Sequence, residues 1–365
     1  MSGIRNWFAG LAVVALALPA AAVAQTAPEG WQQVLDKAKT QKLVLINQGS
    51  PAFDATLDIF SKKFGIKVES TVARPSAVVQ RIQTEQKNGL FLADVWWSIT
   101  GQMTSIGSPA GMFEPFENFM ILPEVKDVSN WRHVDYMFGD AKRTVFTHTH
   151  EVNRAIFRNR DVVPEVKVTT YDSLMDPRLK GKIVVRESSV PNAGSYALAP
   201  IYKVKGGDFL LKFLKEQQPR IYENPEQLDT ALIRGAAGLA IGGQSTSLAQ
   251  CRTDGGCKNI DELDGFSVAV SRGLAIFRNP PNPEATKVFI NWILSKDGQE
   301  TFVREWAKVN TSAAVSMRKD VAAAPGHEKD MPDFANAGQY VWASTQQGDE
   351  EIKKVAEIFK SWAEK

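Results

Sequence analysis

The residues able to do chemistry are few. The 365-residue chain carries four histidines and two cysteines. His148 and His150 stand two apart, a spacing that on a strand puts both on one side and suits metal ligation. No cysteine or carboxylate completes a recognisable ligand pattern beside them, and Glu151 is expected to point the other way. They read as an ordinary pair, with His133 and His327 isolated, so no metal site and no cofactor is expected. The chain has no G-x-S-x-G elbow, no Walker loop and no H-E-x-x-H. A nucleophile, a base and a group to orient them are therefore not recognisable together, and an enzyme is not expected. Cys251 and Cys257 flank Arg-Thr-Asp-Gly-Gly. The Asp254-Gly255-Gly256 turn can bring the sulfurs together. The expected product is a small surface disulfide that stiffens its surroundings more than it stabilises the whole.

What remains is a set of neutral donors with positive charge nearby. Gln48, Gly49 and Ser50 follow one apolar run; Ser188 and Ser189 follow another; Gln244 and Ser245 follow a third after two glycines. Asn192, Gly194, Ser195 and Tyr196 read as the start of a helix, and Ser76 as the cap of another. Helix starts present free N–H groups that favour anions. Arg74, Arg186 and Arg272 lie near strand ends and suit bidentate pairing with a carboxylate, sulfonate or phosphonate. Trp96 and Trp97 alternate across a strand, so one belongs to the core and Trp97 is the candidate for a pocket wall. The expected ligand is a small polar or anionic organic solute. A cationic ligand would want a carboxylate cage, and Glu187 is the main acid in these loops.

The elements that must position these residues follow from apolar periodicity. Trp31, Val34, Leu35 and Ala38 suggest a first helix. Residues 43–47 (LVLIN), 66–71 (IKVEST) and 94–98 (DVWWS) read as strands separated by helices 53–64 and 76–88, with Gly65 as a helix stop. Continuous apolar strands at such spacings imply right-handed crossovers in a parallel sheet buried on both faces. The logic recurs at 181–185 (GKIVV) and 238–241 (GLAI). Phe289, Trp292 and Ile293 share a late helix face, and Ile352, Val355, Phe359 and Trp362 form the stripe of the last helix. The length suits two α/β lobes, and ligands of open α/β sheets sit beyond the strands' carboxyl ends. Net charge is +2, and no dense basic run occurs, so no nucleic-acid partner is expected. Arg5, the apolar run 7–18 and Ala22-Val23-Ala24 form a secretory signal peptide pattern, with cleavage expected near Ala24.

The order of segments resembles the extracellular solute-binding proteins that serve ABC importers, in particular their ferric-binding-like branch. The stretches carrying the resemblance are 43–51 with the helix 53–64 and Gly65-Ile66-Lys67-Val68; Ala93-Asp94-Val95-Trp96-Trp97; Tyr171-Asp172-Ser173-Leu174 running to Asp176-Pro177-Arg178-Leu179-Lys180-Gly181-Lys182; and Ser295-Lys296-Asp297-Gly298-Gln299. The resemblance implies a type II-like periplasmic-binding-protein fold, a clam of two α/β lobes joined by hinge strands near 144–156 and 266–276. Lobe one would hold 25–143 with 272–309, and lobe two 144–271 with 310–365. It also implies a periplasmic, monomeric receptor that closes on a small-molecule ligand and passes it to an inner-membrane ABC permease. Ferric receptors of this kind present adjacent tyrosines after the strand matching 238–241. Here that loop reads Gly242-Gly243-Gln244-Ser245-Thr246, which moves the expectation from iron toward an organic solute. A ferric receptor, and a sensor presenting its ligand to a membrane kinase, are the alternatives.

Overall fold

A computed structural model describes residues 28–263, 265–327, 330–342 and 346–364. The expected signal peptide, residues 1–24, lies outside them. The elements in chain order are α1 (Trp31–Ala38), β1 (Lys42–Asn47), α2 (Pro51–Phe64), β2 (Lys67–Val72), α3 (Pro75–Lys87), β3 (Val95–Ile99) and α4 (Pro123–Lys126). Then come β4 (Val145–Arg154), β5 (Ile156–Asn159), β6 (Ile183–Arg186), α5 (Ala193–Gln217), β7 (Arg220–Tyr222), α6 (Pro225–Ile233), β8 (Leu239–Ile241), α7 (Ser245–Thr253) and β9 (Ile260–Glu262). The chain ends with β10 (Ser267–Ile276), α8 (Pro283–Leu294), α9 (Lys296–Ala307), β11 (Val315–Ser316), β12 (Val341–Trp342) and α10 (Gln346–Ala363).

These form two sheets. The first runs β11-β4-β10-β3-β1-β2, with β12 added beside β10; the second runs β7-β6-β8-β5-β9. The strands read from LVLIN, IKVEST and DVWWS pair in parallel as β2-β1-β3; β1 and β3 are apolar and largely buried, as central parallel strands require, whereas β2 is a polar, largely exposed edge strand. One face of the first sheet packs Leu45, Trp97 and Leu274 against Phe53, Phe289 and Phe302 of α2, α8 and α9. Its other face packs Ile46, Trp96 and Ala275 against Val78, Val79 and Ile82 of α3. The second sheet is covered on one face by α5 and α10 and on the other by α6 and α7.

Two long strands, β4 and β10, pair antiparallel along ten residues each. They belong to the first sheet at one end, and each is joined to the second sheet by a short link at the other. Ala155 alone separates β4 from β5, and residues 263–266 separate β9 from β10. The segment after residue 309, expected wholly with the second lobe, first runs back along the first sheet. There β11 pairs with β4 and β12 with β10, and both β12 and α10 pack on α5, with Val341 of β12 in the second sheet's core.

The disulfide forms between Cys251 and Cys257. It ties the last turn of α7 to the segment entering β9, and Cys257 is buried beside Leu248 and Ile260. Because it pins a helix whose first turn faces the space between the sheets, its effect is local. Replacing both cysteines by serine is expected to lower the unfolding free energy by about 2 kcal/mol, the loop-closure cost of so short a ring. A shift in the urea midpoint measures it.

Candidate functional site

The ends of β1, β6 and β8 and the β4–β10 ribbon enclose a cleft of about 710 Å³. Gln48, Gly49, Ser50 and Asp54 wall it from the first sheet's side. Arg186, Tyr196 and the loop from Gly242 to Thr246 wall it from the second. Its floor is the ribbon itself, with Glu151, Asn153, Arg154, Val268, Val270 and Arg272, backed by Trp306 of α9.

Each wall is built by local hydrogen bonding. After β1, the Asn47 carboxamide accepts from the Gly49 N–H. Gly49 has φ +83°, and a Cβ there would lie 2.8 Å from Val72 Cγ1, so only glycine makes this turn. Ser50 then caps α2 by accepting from the Ala52 N–H, with Pro51 as first helical residue, the pairing these residue types favour. Gln48 turns its Oε1 back onto Ser98 Oγ and the Ile99 N–H. Across the cleft, Gly242 has φ +87°, and a Cβ would sit 3.0 Å from Arg186 Cβ. Its absence lets the 242–246 loop close on β6 and α5. The Gln244 N–H is held by Asp229 of α6, whose carboxyl is raised above its ordinary range by burial.

Gln48, Gly49, Ser50, Tyr196, Gln244, Ser245 and Arg272, all named from sequence, line the cleft. Others do not. Trp97 is completely buried in the first sheet's aromatic core, its Nε1 donating to His148. It lies on the face that leads to the cleft but one rung too deep. Ile99, two residues on, is the one that lines it. Ser76 is not the cap of α3; Arg74 holds that position, Pro75 opens the helix, and Ser76 is exposed in its first turn. Arg74 is exposed and outside the cleft lining, yet near enough for its charge to act on Arg186. Ser188, Ser189, Asn192 and Ser195 are spent on the loop after β6. Ser188 Oγ donates to the Arg186 carbonyl, and the Ser189 N–H donates to Glu187. Asn192 and Ser195 form a reciprocal capping box at the start of α5. Gly194 is buried against residues 186–188, where a Cβ would lie 2.5 Å from the Glu187 carbonyl oxygen.

The sequence reading did not name Glu151, Asn153 and Arg154, nor Trp306, Asn310 and Ser312, as wall residues. Their signal was weak, because they belong to long strands and a helix rather than to polar loops. Counting alternation from His148 also misled. The β4–β10 register shifts at Arg272/Gly273, and the bulge sends the two histidines to different surroundings. His148 meets Trp97, Gln299 and Phe302. His150 meets Ser271, Phe334 and Trp342.

The charges in the cleft are unevenly satisfied. Arg154 pairs with the buried Asp330, and Arg272 with Glu151 at 2.6 Å. Arg186 is half-buried and lines the cleft, but its guanidinium makes no hydrogen bond or ion pair among the described residues. Its pKa is pushed down, first by burial and also by Arg74, with Glu226 and Asp229 opposing. The Glu151 carboxyl is raised by burial despite its arginine partner.

Comparison with known proteins gives concordant results. Residues 55–336 match the family described as bacterial extracellular solute-binding protein. Iron uptake protein A2 of Synechocystis sp. is 27% identical over 310 residues, covering 79% of this chain and 82% of that protein. Iron-bound HitA from Pseudomonas aeruginosa superposes with a TM-score of 0.62 at 18% identity, over 88% of this chain and 98% of its own. The periplasmic binding protein AfuA from Actinobacillus pleuropneumoniae, with exogenous fructose-6-phosphate bound, gives a TM-score of 0.63 at 16% identity, over 86% and 96%. At these identities the structural likeness establishes the two-lobed fold.

Burial pushes both His148 and His150 down to about 3, against about 6.5 unfolded. A depressed folded pKa stabilises above the unfolded value, and that stability is lost as pH falls from about 6.5 toward 3. Each histidine contributes a slope of up to roughly 1.4 kcal/mol per pH unit in that window. Urea titrations at pH 7, 6 and 5 are expected to show His150→Asn losing about one proton's worth of this slope. An unchanged slope refutes the assignment.

Proposed function

The chain belongs to the bacterial extracellular solute-binding protein family, and on that premise we propose that it is the periplasmic receptor of an ABC importer for a small polar or anionic organic solute. A member of this family is a receptor rather than an enzyme, and its work is differential binding. A solute touching both walls stabilises the closed arrangement, and the membrane partner responds to that arrangement. The signal peptide pattern at residues 1–24 supports export. No helix among the described residues is long and apolar enough to cross a membrane.

The observation carrying the ligand class is Arg186. A guanidinium drawn partly out of water without a partner is costly unless an anion completes it. Arg186 faces the cleft, and the neutral donors of Gln48, Ser50, Gln244 and Ser245 surround the same space. Such a setting suits a carboxylate, phosphonate or sulfonate together with its polar body. Small ligands are delivered in this reading to an inner-membrane permease.

A ferric reading is favoured by the name of the relative iron uptake protein A2. Against it stands the donor set. Ferric iron wants phenolate, carboxylate and imidazole oxygens and nitrogens. Among the described residues Tyr196 is the one tyrosine lining the cleft. Among the described residues no three His, Cys, Asp or Glu side chains are grouped to hold a metal.

Thermal denaturation of the mature protein against organic anions, ferric citrate and polyamines separates the readings. Organic anions are expected to raise the melting temperature, and Arg186→Ala to weaken the best of them at least about ten-fold, the loss of a charge-assisted pair. Stabilisation by ferric salts alone sinks the organic-anion reading.

A further inference from the structure

Exposed arginines elsewhere in this chain end on carboxylates: Arg81, Arg143, Arg178, Arg252 and Arg304 each pair with one. Arg74 and Arg186 pair with none among the described residues. The two stand at the rims of opposite walls of the cleft. On the first sheet, β1 and β2 end level, with Asn47 beside Val72. The Ala73 N–H still donates to the Asn47 carbonyl, and the Val72 side chain packs on Gly49, a cleft residue. Arg74 comes next, extended and exposed, where the chain turns into α3. On the second sheet Arg186 ends β6 and lines the cleft. What reaches it from the far wall is another positive charge, that of Arg74. The acids on its own side are engaged elsewhere. Glu226 accepts from the Gln244 side chain, Asp229 from the Gln244 N–H, and Glu187 from the Ser189 N–H.

Two guanidiniums that face each other with no carboxylate between them repel, and drawing the walls together raises that cost. An anion set between them turns the repulsion into two attractions. A single negative charge leaves the trio net positive, and the two coplanar oxygens of a carboxylate suit one bidentate fork rather than two. A phosphate monoester brings about two negative charges on three free oxygens near neutral pH. We propose that Arg74 and Arg186 form a clamp across the mouth of the cleft that takes one phosphate-type dianion, with a guanidinium from each wall, and so couples its binding to the approach of the walls. This rests on the reading of the cleft as an organic-anion site and narrows it to phosphorylated solutes. Gln48, Ser50, Gln244 and Ser245 then serve the polar body of the solute. Asp54, the acid on the wall that carries Arg74, is the internal partner the dianion must outcompete.

Ethyl phosphate and ethyl sulfate test the clamp, because they share shape and body and differ by about one charge at about pH 8. Propionate supplies a planar monoanion of similar size. Isothermal titration of the full mature chain is expected to show ethyl phosphate binding at least about ten-fold more tightly than either monoanion. Arg74→Ala changes an exposed side chain and leaves the core untouched. It is expected to cost ethyl phosphate about ten-fold and the two monoanions no more than about three-fold. Arg74→Lys keeps the charge without the fork and is expected to fall between wild type and alanine. Small-angle scattering supplies a second readout. Ethyl phosphate at saturation is expected to reduce the radius of gyration of the wild type and to leave that of Arg74→Ala unchanged. Equal binding of ethyl phosphate and ethyl sulfate overturns the clamp and leaves the organic-anion reading standing. So does an unchanged phosphate affinity in Arg74→Ala beside a weakened one in Arg186→Ala. Equal loss of all three probes in Arg74→Ala also overturns it, because it marks Arg74 as a partner of Asp54 rather than of the solute. Binding of other organic anions but not ethyl phosphate overturns the clamp alone, and binding of ferric citrate with no organic anion bound overturns both readings.

Discussion

The cleft depends on the antiparallel pairing of β4 with β10. Ten residues of each strand lie side by side, and the ladder does three things at once. Its inner end completes the first sheet, where Phe146 and Leu274 join the aromatic core. Its outer end runs out from under that core and becomes the cleft floor. Beyond it, single short links carry the chain into the second sheet.

Placing an ion pair on such a floor has an electrostatic consequence. Glu151 and Arg272 are both nearly sealed from water, where desolvation is severe and attraction compensates only with good geometry. The pair is held by one short bond and by the stacking of the guanidinium on Trp306, a cation–π contact strengthened by dryness. Asn153 adds a second donor to the same carboxylate oxygen. Nearby, Arg154 is held by Asp330, which also accepts from the Ala313 N–H and contacts His327. The C-terminal segment thereby fixes the charge at the end of β4. Of the three arginines lining the cleft among the described residues, two are committed to internal carboxylates and Arg186 has no carboxylate partner among those residues. Among the described residues, unpaired positive charge in the cleft is thus concentrated on one wall.

Much of this was legible in the residues and some was not, for identifiable reasons. The β1, β3, β6 and β8 strands announced themselves as short apolar runs, because strands of a sheet covered on both faces have no polar alternation to confuse them. Gln48–Ser50 and Gln244–Ser245 were legible as strand-end loops. Ser188, Asn192 and Ser195 have the same composition, yet their polar side-chain atoms close their own loop. Composition cannot tell a donor that serves a ligand from one that serves the backbone. Trp97 missed by a single rung, a distance that alternation alone does not resolve. Glu151 was hidden by its paired arginine being 121 residues away and by a bulge that upset the count from His148.

The rung at which core becomes cleft explains how one fold serves different solutes. Trp97 and Leu274 face each other across β3 and β10, packed by Phe53 and Phe302, and any change there costs packing energy. One rung further, Ile99 and Arg272 face each other with the cleft above them. Side chains at this second rung and in the strand-end loops carry little of the core, so they are free to vary in charge and shape. A chain can therefore lose tyrosines from the loop after β8, and place a glutamate–arginine pair on its floor, without disturbing the sheets that bring the walls together. By this argument overall likeness to iron-bound and sugar-phosphate-bound structures speaks for the lobes.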